Sequence, residues 1–169
     1  MQEELTKEFI SQSIYRLDES MRMLQISLES ITEEEFWKKP NRSLNSIANI
    51  LLHLCGNITQ YAIASLGEKP DIRERDKEFS VESGYTKAEL LVKLIATVEA
   101  AKMVISTASP TQLIKKRKVQ GFDFSGIAII VHVVEHLSYH TGQIAFWTKQ
   151  LKNSDLGFYK GHNLNKKNE

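Results

Sequence analysis

Two long stretches of this sequence combine an apolar helical period with an almost complete lack of charged side chains. Residues 43–66 contain no Asp, Glu, Lys or Arg, and Glu135 is the one formally charged side chain between Ser125 and Thr148. A helix with water along one side normally carries charges there. We therefore expect both helices to be covered around most of their circumference, by a second subunit or by the connecting loops.

Two further segments predict helices with a solvent-exposed side. The first has apolar residues at alternating spacings of four and three: Ile10, Ile14, Leu17, Met21, Leu24, Leu28 and Ile31. Another helix is predicted to begin at the capping box Thr86–Glu89, and a short one at Thr32–Glu35. Because a chain of 169 residues with 8 Gly and 3 Pro has few turns, we predict an all-α four-helix bundle over residues 1–152, followed by a polar tail over 153–169.

The links between the helices differ in what they suggest. The densely charged link between the second and third helices, residues 67–85, is longer than a bundle needs, and long ordered loops tend to be functional; the alternative is a solvated linker. The later link, residues 109–124, contains four consecutive basic residues, Lys115–Lys118. Since the net charge is only +1, we predict a solvated turn there and no nucleic-acid partner.

The uncharged stretches do not predict a membrane protein. Residues 47–66 are long enough to span a bilayer, but they would carry four polar side chains into lipid: Asn49, His53, Asn57 and Gln60. The acidic N-terminal sequence lacks the order of a secretory signal, so we expect a cytoplasmic location. The single cysteine, Cys55, excludes an internal disulfide and is expected to be a buried apolar residue.

The strongest chemical signal is a row of histidines. His132, His136 and His140 lie four residues apart on the fourth helix, so successive rings are offset by only about 40° around its axis. The second helix carries one histidine, His53. Two imidazoles one turn apart, with a third from a facing helix, can bind one divalent cation and leave a coordination position open for chemistry. The pair could be His132 with His136 or His136 with His140, and the spacing does not choose.

Three motifs carry a resemblance to a known family. Glu135-His-Leu-Ser-Tyr-His-Thr-Gly-Gln-Ile144 resembles the last-helix signature of the DinB-like superfamily of four-helix-bundle metalloenzymes. Leu52-His-Leu-Cys-Gly-Asn57 resembles the second-helix histidine motif of that superfamily. The charged link over residues 67–79 is similar to a loop in one uncharacterised bacterial branch. The likeness runs from the first helix to about Leu151.

The resemblance implies a metal site and a set of reactions. In this superfamily one histidine of the second helix and two of the last hold nickel, zinc or a similar divalent ion, which here implies His53, His136 and His140. His132 falls outside that triad and is expected beside the ligands, as are Glu135 and Gln143. Some members are S-transferases that use a low-molecular-weight thiol, a related one is a thiol-dependent isomerase, and dimers are common.

These observations lead to one principal hypothesis and several alternatives. We expect a metal-dependent enzyme that activates a thiol or water for attack on a small-molecule substrate, in a homodimer formed through the second and fourth helices. Asn57 is a candidate for contact with substrate or water, and Arg73 or Arg75 for binding a substrate carboxylate. Alternatively, either arginine forms a surface ion pair with Glu74, Asp76 or Glu78. The alternatives for the protein are a metal-dependent hydrolase or a non-catalytic metal- or ligand-binding dimer.

Overall fold

The computed structural model describes residues 1–168 and consists mainly of helices; Glu169, the last residue of the predicted tail, lies outside the described residues. Its elements in chain order are α1 (Gln2–Glu29), α2 (Glu33–Trp37), α3 (Ile47–Ile58), a π-helical segment (Thr59–Leu66), α4 (Arg75–Ser80), α5 (Lys87–Ser106), α6 (Pro110–Ile114), β1 (Lys116–Val119), β2 (Phe122–Ser125) and α7 (Gly126–Lys152).

The four long helices predicted from the apolar period are confirmed as α1, α3 with its π-helical extension, α5 and α7. The capping boxes at Thr32–Glu35 and Thr86–Glu89 are present and begin α2 and α5. A further capping box at Ser46 begins α3. In each box a side chain accepts a hydrogen bond from a backbone N–H that has no partner within the helix, which fixes where the helix begins.

The core lies between two pairs of helices, since α1 packs against α7 and α3 packs against α5. Large apolar side chains from all four helices are buried there: Leu17, Leu24, Leu28, Leu51, Leu54, Ile58, Leu94, Val98, Ile105, Ile130, Val133, Leu137 and Ile144. Cys55 is buried among them, as expected. No helix among the described residues is both long enough and apolar enough to traverse a lipid bilayer.

Beyond Ile58 the helix continues in π-helical form. Such segments are rare and are frequent at functional sites. This one carries Gln60, which accepts a hydrogen bond from Arg73, and Tyr61, whose ring stacks on that of His132. The change of helical form therefore occurs next to the histidines.

The link over residues 67–85 folds partly into α4, which packs against α3. It thereby supplies a cover for the uncharged second helix from within the chain. Of the twelve residues of α3, ten are buried. The expectation that connecting segments cover this helix is met by α4.

The link over residues 109–124 is more ordered than a solvated turn, so that prediction is wrong in detail. It forms α6 and then a hairpin in which Val119 pairs with Phe122. The intervening Gln120 and Gly121 have φ values of 52° and 86°, the conformation that two-residue hairpin loops require. Burial of Val119 holds the hairpin against the bundle, and the strands add a small sheet to an otherwise helical fold.

After α7, residues 153–168 form no helix or strand. Asn153 ends α7 in the left-handed conformation, with a φ of 47°. The division of the chain into a bundle over 1–152 and a separate tail stays a prediction.

Candidate metal centre

Histidines from two helices meet at one point inside the bundle. His53 comes from α3, and His136 and His140 come from α7; one ring nitrogen of each lies within 4.8 Å of the other two. The Nε2 atoms of His53 and His136 are 2.8 Å apart. These are the three residues to which the superfamily resemblance points, and the geometry selects the His136–His140 pair over His132–His136 for the shared point.

The protonation of these rings suits them to bind a cation. Burial, followed by the positive charge that the neighbouring imidazoles would carry, lowers the pKa of His136 to about 3. Burial likewise lowers the pKa of His140 to about 4, against an opposing hydrogen bond with Gln143. Both rings are therefore neutral near pH 7 and hold a free lone pair. A set of three imidazoles suits zinc, nickel, copper or iron.

A buried carboxylate orients His53. The Nδ1–H of His53 donates to Oε2 of Glu78 over 2.9 Å, which leaves the Nε2 lone pair facing the other histidines. Arg73 donates to both oxygens of that carboxylate, at 2.7 and 2.9 Å. Burial alone would raise the pKa of Glu78, but the hydrogen bonds from Arg73 and His53 outweigh it and lower the pKa, so the carboxylate is ionised. A carboxylate behind a ligand histidine fixes the ring and makes it more basic.

The way α4 docks on α3 explains how Glu78 reaches His53. The side-chain amide of Asn49 donates to the backbone carbonyls of Glu78 and Val81, which ties α4 to the start of α3. One turn beyond His53, Gly56 leaves space for the Glu78 carboxylate, and a methyl group at Gly56 would overlap with it. The carboxylate thus lies in a cradle that α3 forms only because it has a glycine there.

Glu78 is the functional residue that the sequence analysis missed, since it appeared there only as a surface partner for an arginine. Its signal in the sequence is indirect. A glycine inside a helix, such as Gly56, lowers the stability of that helix. A glycine at such an interior position usually marks the close approach of another group. The glycine shows that something packs against α3 beside His53, without showing which acidic residue of the link does so.

On the last helix, Gln143 orients the ring of His140 by a hydrogen bond, as Glu78 orients the ring of His53. The Nδ1–H of His140 donates to Oε1 of Gln143 over 2.7 Å, so the Nε2 lone pair of His140 is free. The amide of Gln143 donates in turn to the hydroxyl of Tyr139 over 2.9 Å. Glu135, the other residue expected near the ligands on this helix, is exposed and is not part of the histidine cluster.

His132 lies beside the three histidines but outside their shared point. Its ring stacks on Tyr61, with ring centroids 4.0 Å apart, and on His136, with centroids 5.2 Å apart. Its Nε2 accepts a hydrogen bond from the amide of Asn57 over 3.2 Å. Burial lowers the pKa of His132 as well, so this ring is a neutral packing partner of His136.

The three residues named as catalytic candidates have different surroundings. Asn57 is buried and contacts His132, and its Oδ1 has no hydrogen-bond partner in the described part of the chain. Arg73 is buried in its ion pair with Glu78 and also donates to Gln60. Its expected role in binding a substrate carboxylate is wrong, because Glu78 already occupies the guanidinium. Arg75 alone lies at an open cleft.

That cleft has a volume of about 570 Å³ and contains His53 and His140 in its wall. It lies between the chain that follows α2, the start of α3, α4 and the last turns of α7. The remaining wall is largely apolar and includes Phe79 of α4 and Ile144 and Trp147 of α7. A small molecule in this cleft would touch two of the three histidines.

Comparison with known proteins agrees with this architecture. Residues 4–160 match the family described as "Protein of unknown function (DUF1572)". A conserved protein from Enterococcus faecalis superposes with a TM-score of 0.73 at 14% identity, over 85% of this chain and 97% of that one. A DinB-like protein from Bacillus subtilis superposes with a TM-score of 0.65 at 16% identity, over 90% and 96% of the two chains. No curated protein is significantly similar in sequence. At these identities the structural likeness establishes a DinB-like fold.

Proposed function

The chain belongs to the DUF1572 family, and we propose that it is a metal-dependent enzyme in which His53, His136 and His140 hold one divalent transition-metal ion. The observation that supports this is the approach of three histidine ring nitrogens, from two helices, to within 4.8 Å of one another. Nickel or zinc is the ion we propose, since both accept three imidazoles with further positions open.

When bound, such an ion would act as a Lewis acid that lowers the pKa of a water molecule or thiol at neutral pH. Three uncharged ligands suit this purpose, because they leave the full double positive charge available to stabilise an anionic nucleophile. The neutral state of His136 and His140 follows from their burial.

Residues around the three histidines hold the site in the arrangement that the proposed ion needs. Glu78 and Gln143 hold the rings of His53 and His140 with Nε2 turned towards the shared point, so no ring has to reorient during a reaction. Arg73 keeps Glu78 ionised and in place. The largely apolar cleft admits a substrate beside His53 and His140.

The reaction we propose is transfer of an electrophilic small molecule to a low-molecular-weight thiol. The resemblance to superfamily members with that activity supports it, together with a cleft that opens onto the histidines. In the proposed step the thiol sulfur attacks an electrophilic carbon, the sulfur–carbon bond forms as the bond to the leaving group breaks, and the thiol proton passes to solvent. Hydrolysis by water and metal or ligand binding without catalysis are the outcomes to be separated from it.

We propose further that the protein is a homodimer, formed through the outer side of α7. Two large apolar side chains lie exposed on this outer side, away from the cleft: Ile127 and Val131. From Ile127 to Thr148 the helix carries one formally charged side chain, that of Glu135. The second helix was expected to take part as well, but α3 is buried by the rest of the chain, so we propose α7 alone for the interface.

The metal content of purified protein tests the central part of the proposal. We expect about one transition-metal ion per chain, with none in His136→Ala. The matched control is His162→Ala, because His162 is an exposed histidine of the tail. His132→Ala should also keep the ion. If the wild-type protein holds no ion, and added zinc or nickel leaves the melting temperature unchanged, the proposal is wrong.

The reaction is tested by incubating metal-loaded protein with several low-molecular-weight thiols and a chlorinated aromatic electrophile. We expect a thioether product and free chloride with at least one thiol, and neither with metal-free protein or with His136→Ala. A product that forms from water alone would assign a hydrolase. If no metal-dependent product forms with either nucleophile, the binding alternative replaces catalysis.

A further inference from the structure

The cleft beside the histidines has a wall of unusual composition. Most of its side chains are aliphatic or aromatic: Leu44, Ile47, Ile50, Phe79, Tyr139, Ile144, Phe146 and Trp147. Arg75 is the one formally charged residue among those that line it in the described part of the chain. Such a wall favours a molecule with an apolar body, and its volume of about 570 Å³ is in the range of ordinary small-molecule sites.

Arg75 is free to bind an anion at the edge of this cleft. Its guanidinium lies over the ring of Phe79, 4.9 Å from the ring centre. No carboxylate of the described residues forms an ion pair with it, and its side chain is exposed. The contrast is with Arg73, two residues earlier, whose guanidinium is buried against Glu78. Contact with the Phe79 ring places the guanidinium at the edge of the cleft, and its planar set of donors suits bidentate binding of a carboxylate.

We propose that this cleft binds a small organic acid with an aliphatic or aromatic body. The carboxylate is held by Arg75, and the body lies against Phe79, Ile144 and Trp147. The neutral side chains of Ser43 and Asn45, also in the wall, offer further hydrogen bonds without adding charge. That this acid is the substrate rests on the proposed function, because His53 and His140 form part of the same wall. The binding itself requires no metal ion.

Tryptophan fluorescence gives a direct test. The chain has two tryptophans, Trp37 and Trp147, and only Trp147 lines the cleft. In Trp37→Phe protein, the emission of Trp147 reports on occupancy. The probes are 4-phenylbutyrate, its neutral amide and acetate, titrated into protein treated with a chelator and, separately, into zinc-loaded protein. Calorimetry on the unsubstituted chain repeats the measurement, in case Trp37→Phe alters the fold.

We expect 4-phenylbutyrate to bind at least about tenfold more tightly than either its amide, which lacks the charge, or acetate, which lacks the apolar body. Arg75→Gln should remove the preference for the acid over the amide, and Arg75→Lys should keep part of it. The matched control is Arg16→Gln, because Arg16 is also exposed and also lies over an aromatic ring, that of Tyr15, away from the cleft. This control should bind the acid as the wild type does.

Equal binding of the acid and the amide, or an unchanged preference in Arg75→Gln, would overturn the proposal. A Trp147 signal that changes with protein concentration and not with added acid would also overturn it, since a second copy of the chain would then fill the cleft. The outcome is independent of the metal test: binding of the acid by chelator-treated protein would stand even if the histidines held no ion. Metal binding would likewise stand if the acid did not bind.

Discussion

The helices α3 and α7 share one sequence character but differ in how the fold covers them. Both lack charged side chains almost completely. In α3 the reason lies within the chain, because α4, α5 and the neighbouring helices surround it and bury ten of its twelve residues. In α7 the inner side packs against α1, while Ile127 and Val131 on the outer side stay exposed.

The difference teaches that a helix without charged side chains is covered by other protein, but its sequence does not show whether the covering segment belongs to the same chain. Over α3 the cover is the charged link, which buries one of its own carboxylates to orient a histidine. Over the outer side of α7 the described residues 1–168 supply no cover for Ile127 and Val131, so the same signal supports a second subunit. We therefore expect substitutions in the link to have the largest effects, and a substitution on the outer side of α7 to have the smallest.

Removal of the buried carboxylate should have the largest effect. Glu78→Ala leaves the guanidinium of Arg73 buried without its partner, and we expect the free energy of unfolding to fall by about 3–5 kcal/mol. Because His53 also loses the acceptor that orients it, metal affinity should fall roughly 10–100-fold. Chemical denaturation and metal competition measure the two effects.

The control for that variant is Glu74→Ala in the same segment. Glu74 pairs with Lys77 on the surface, where both side chains are largely exposed. An exposed pair contributes about 0–1 kcal/mol, so this variant should match the wild type closely. If both substitutions lowered stability equally, the link would not serve as a specific cover of α3.

A pair of glycine substitutions compares the two helices directly. At Gly56 of α3 an added methyl group meets the Glu78 carboxylate, and we expect Gly56→Ala to lower the free energy of unfolding by about 1–3 kcal/mol. At Gly142 of α7 no atom lies within 4 Å of the added carbon. There alanine should raise stability by about 0.5–1 kcal/mol, because it favours the helix.

The stabilities of the two variants are compared by their denaturant midpoints, which are measured at a dilution where the chain is monomeric. A stabilising Gly56→Ala would mean that α4 does not lie against α3 as described. A destabilising Gly142→Ala in the dilute monomer would mean that the outer side of α7 is already covered within the chain.

The smallest expected effect concerns association. Val131 is 49% exposed on α7, and Val131→Glu would place like charges at a two-fold interface. We expect the dimer to weaken at least about tenfold, with the fold and metal content unchanged. The matched variant is Val92→Glu on α5, where Val92 is 66% exposed. Sedimentation should show it dimerising as the wild type does; a wild type that is monomeric at micromolar concentration contradicts the interface.

The sequence allowed much of the fold and the ligand set to be predicted. The alternation of four and three in residues such as Leu17, Met21 and Leu24 is a local property of a helix, so it identifies helices without tertiary information. The four-residue spacing placed His136 and His140 on one side of α7, and His53 was the one histidine of the second helix. Spacing alone left His132 as an alternative because it shares that side; the resemblance pointed to His136 and His140, and the structure brings the ring nitrogens of these two together with that of His53.

The rest depended on contacts between distant segments. The link contains several acidic residues, and which of them becomes buried depends on how α4 docks through Asn49. Nothing local in the sequence separates Glu78 from Glu74. The hairpin was missed for a related reason: a run of basic residues resembles a solvated turn unless the burial of Val119 is known.

The most direct test of the account is a crystal structure of the zinc- or nickel-loaded protein, with anomalous scattering recorded at the absorption edge of the metal. We predict one strong peak at the point shared by the Nε2 atoms of His53 and His140 and a ring nitrogen of His136, at about 2.0–2.1 Å from each. A peak bound by other residues, or no peak in protein soaked with excess metal, would contradict the claim that these histidines form a metal centre.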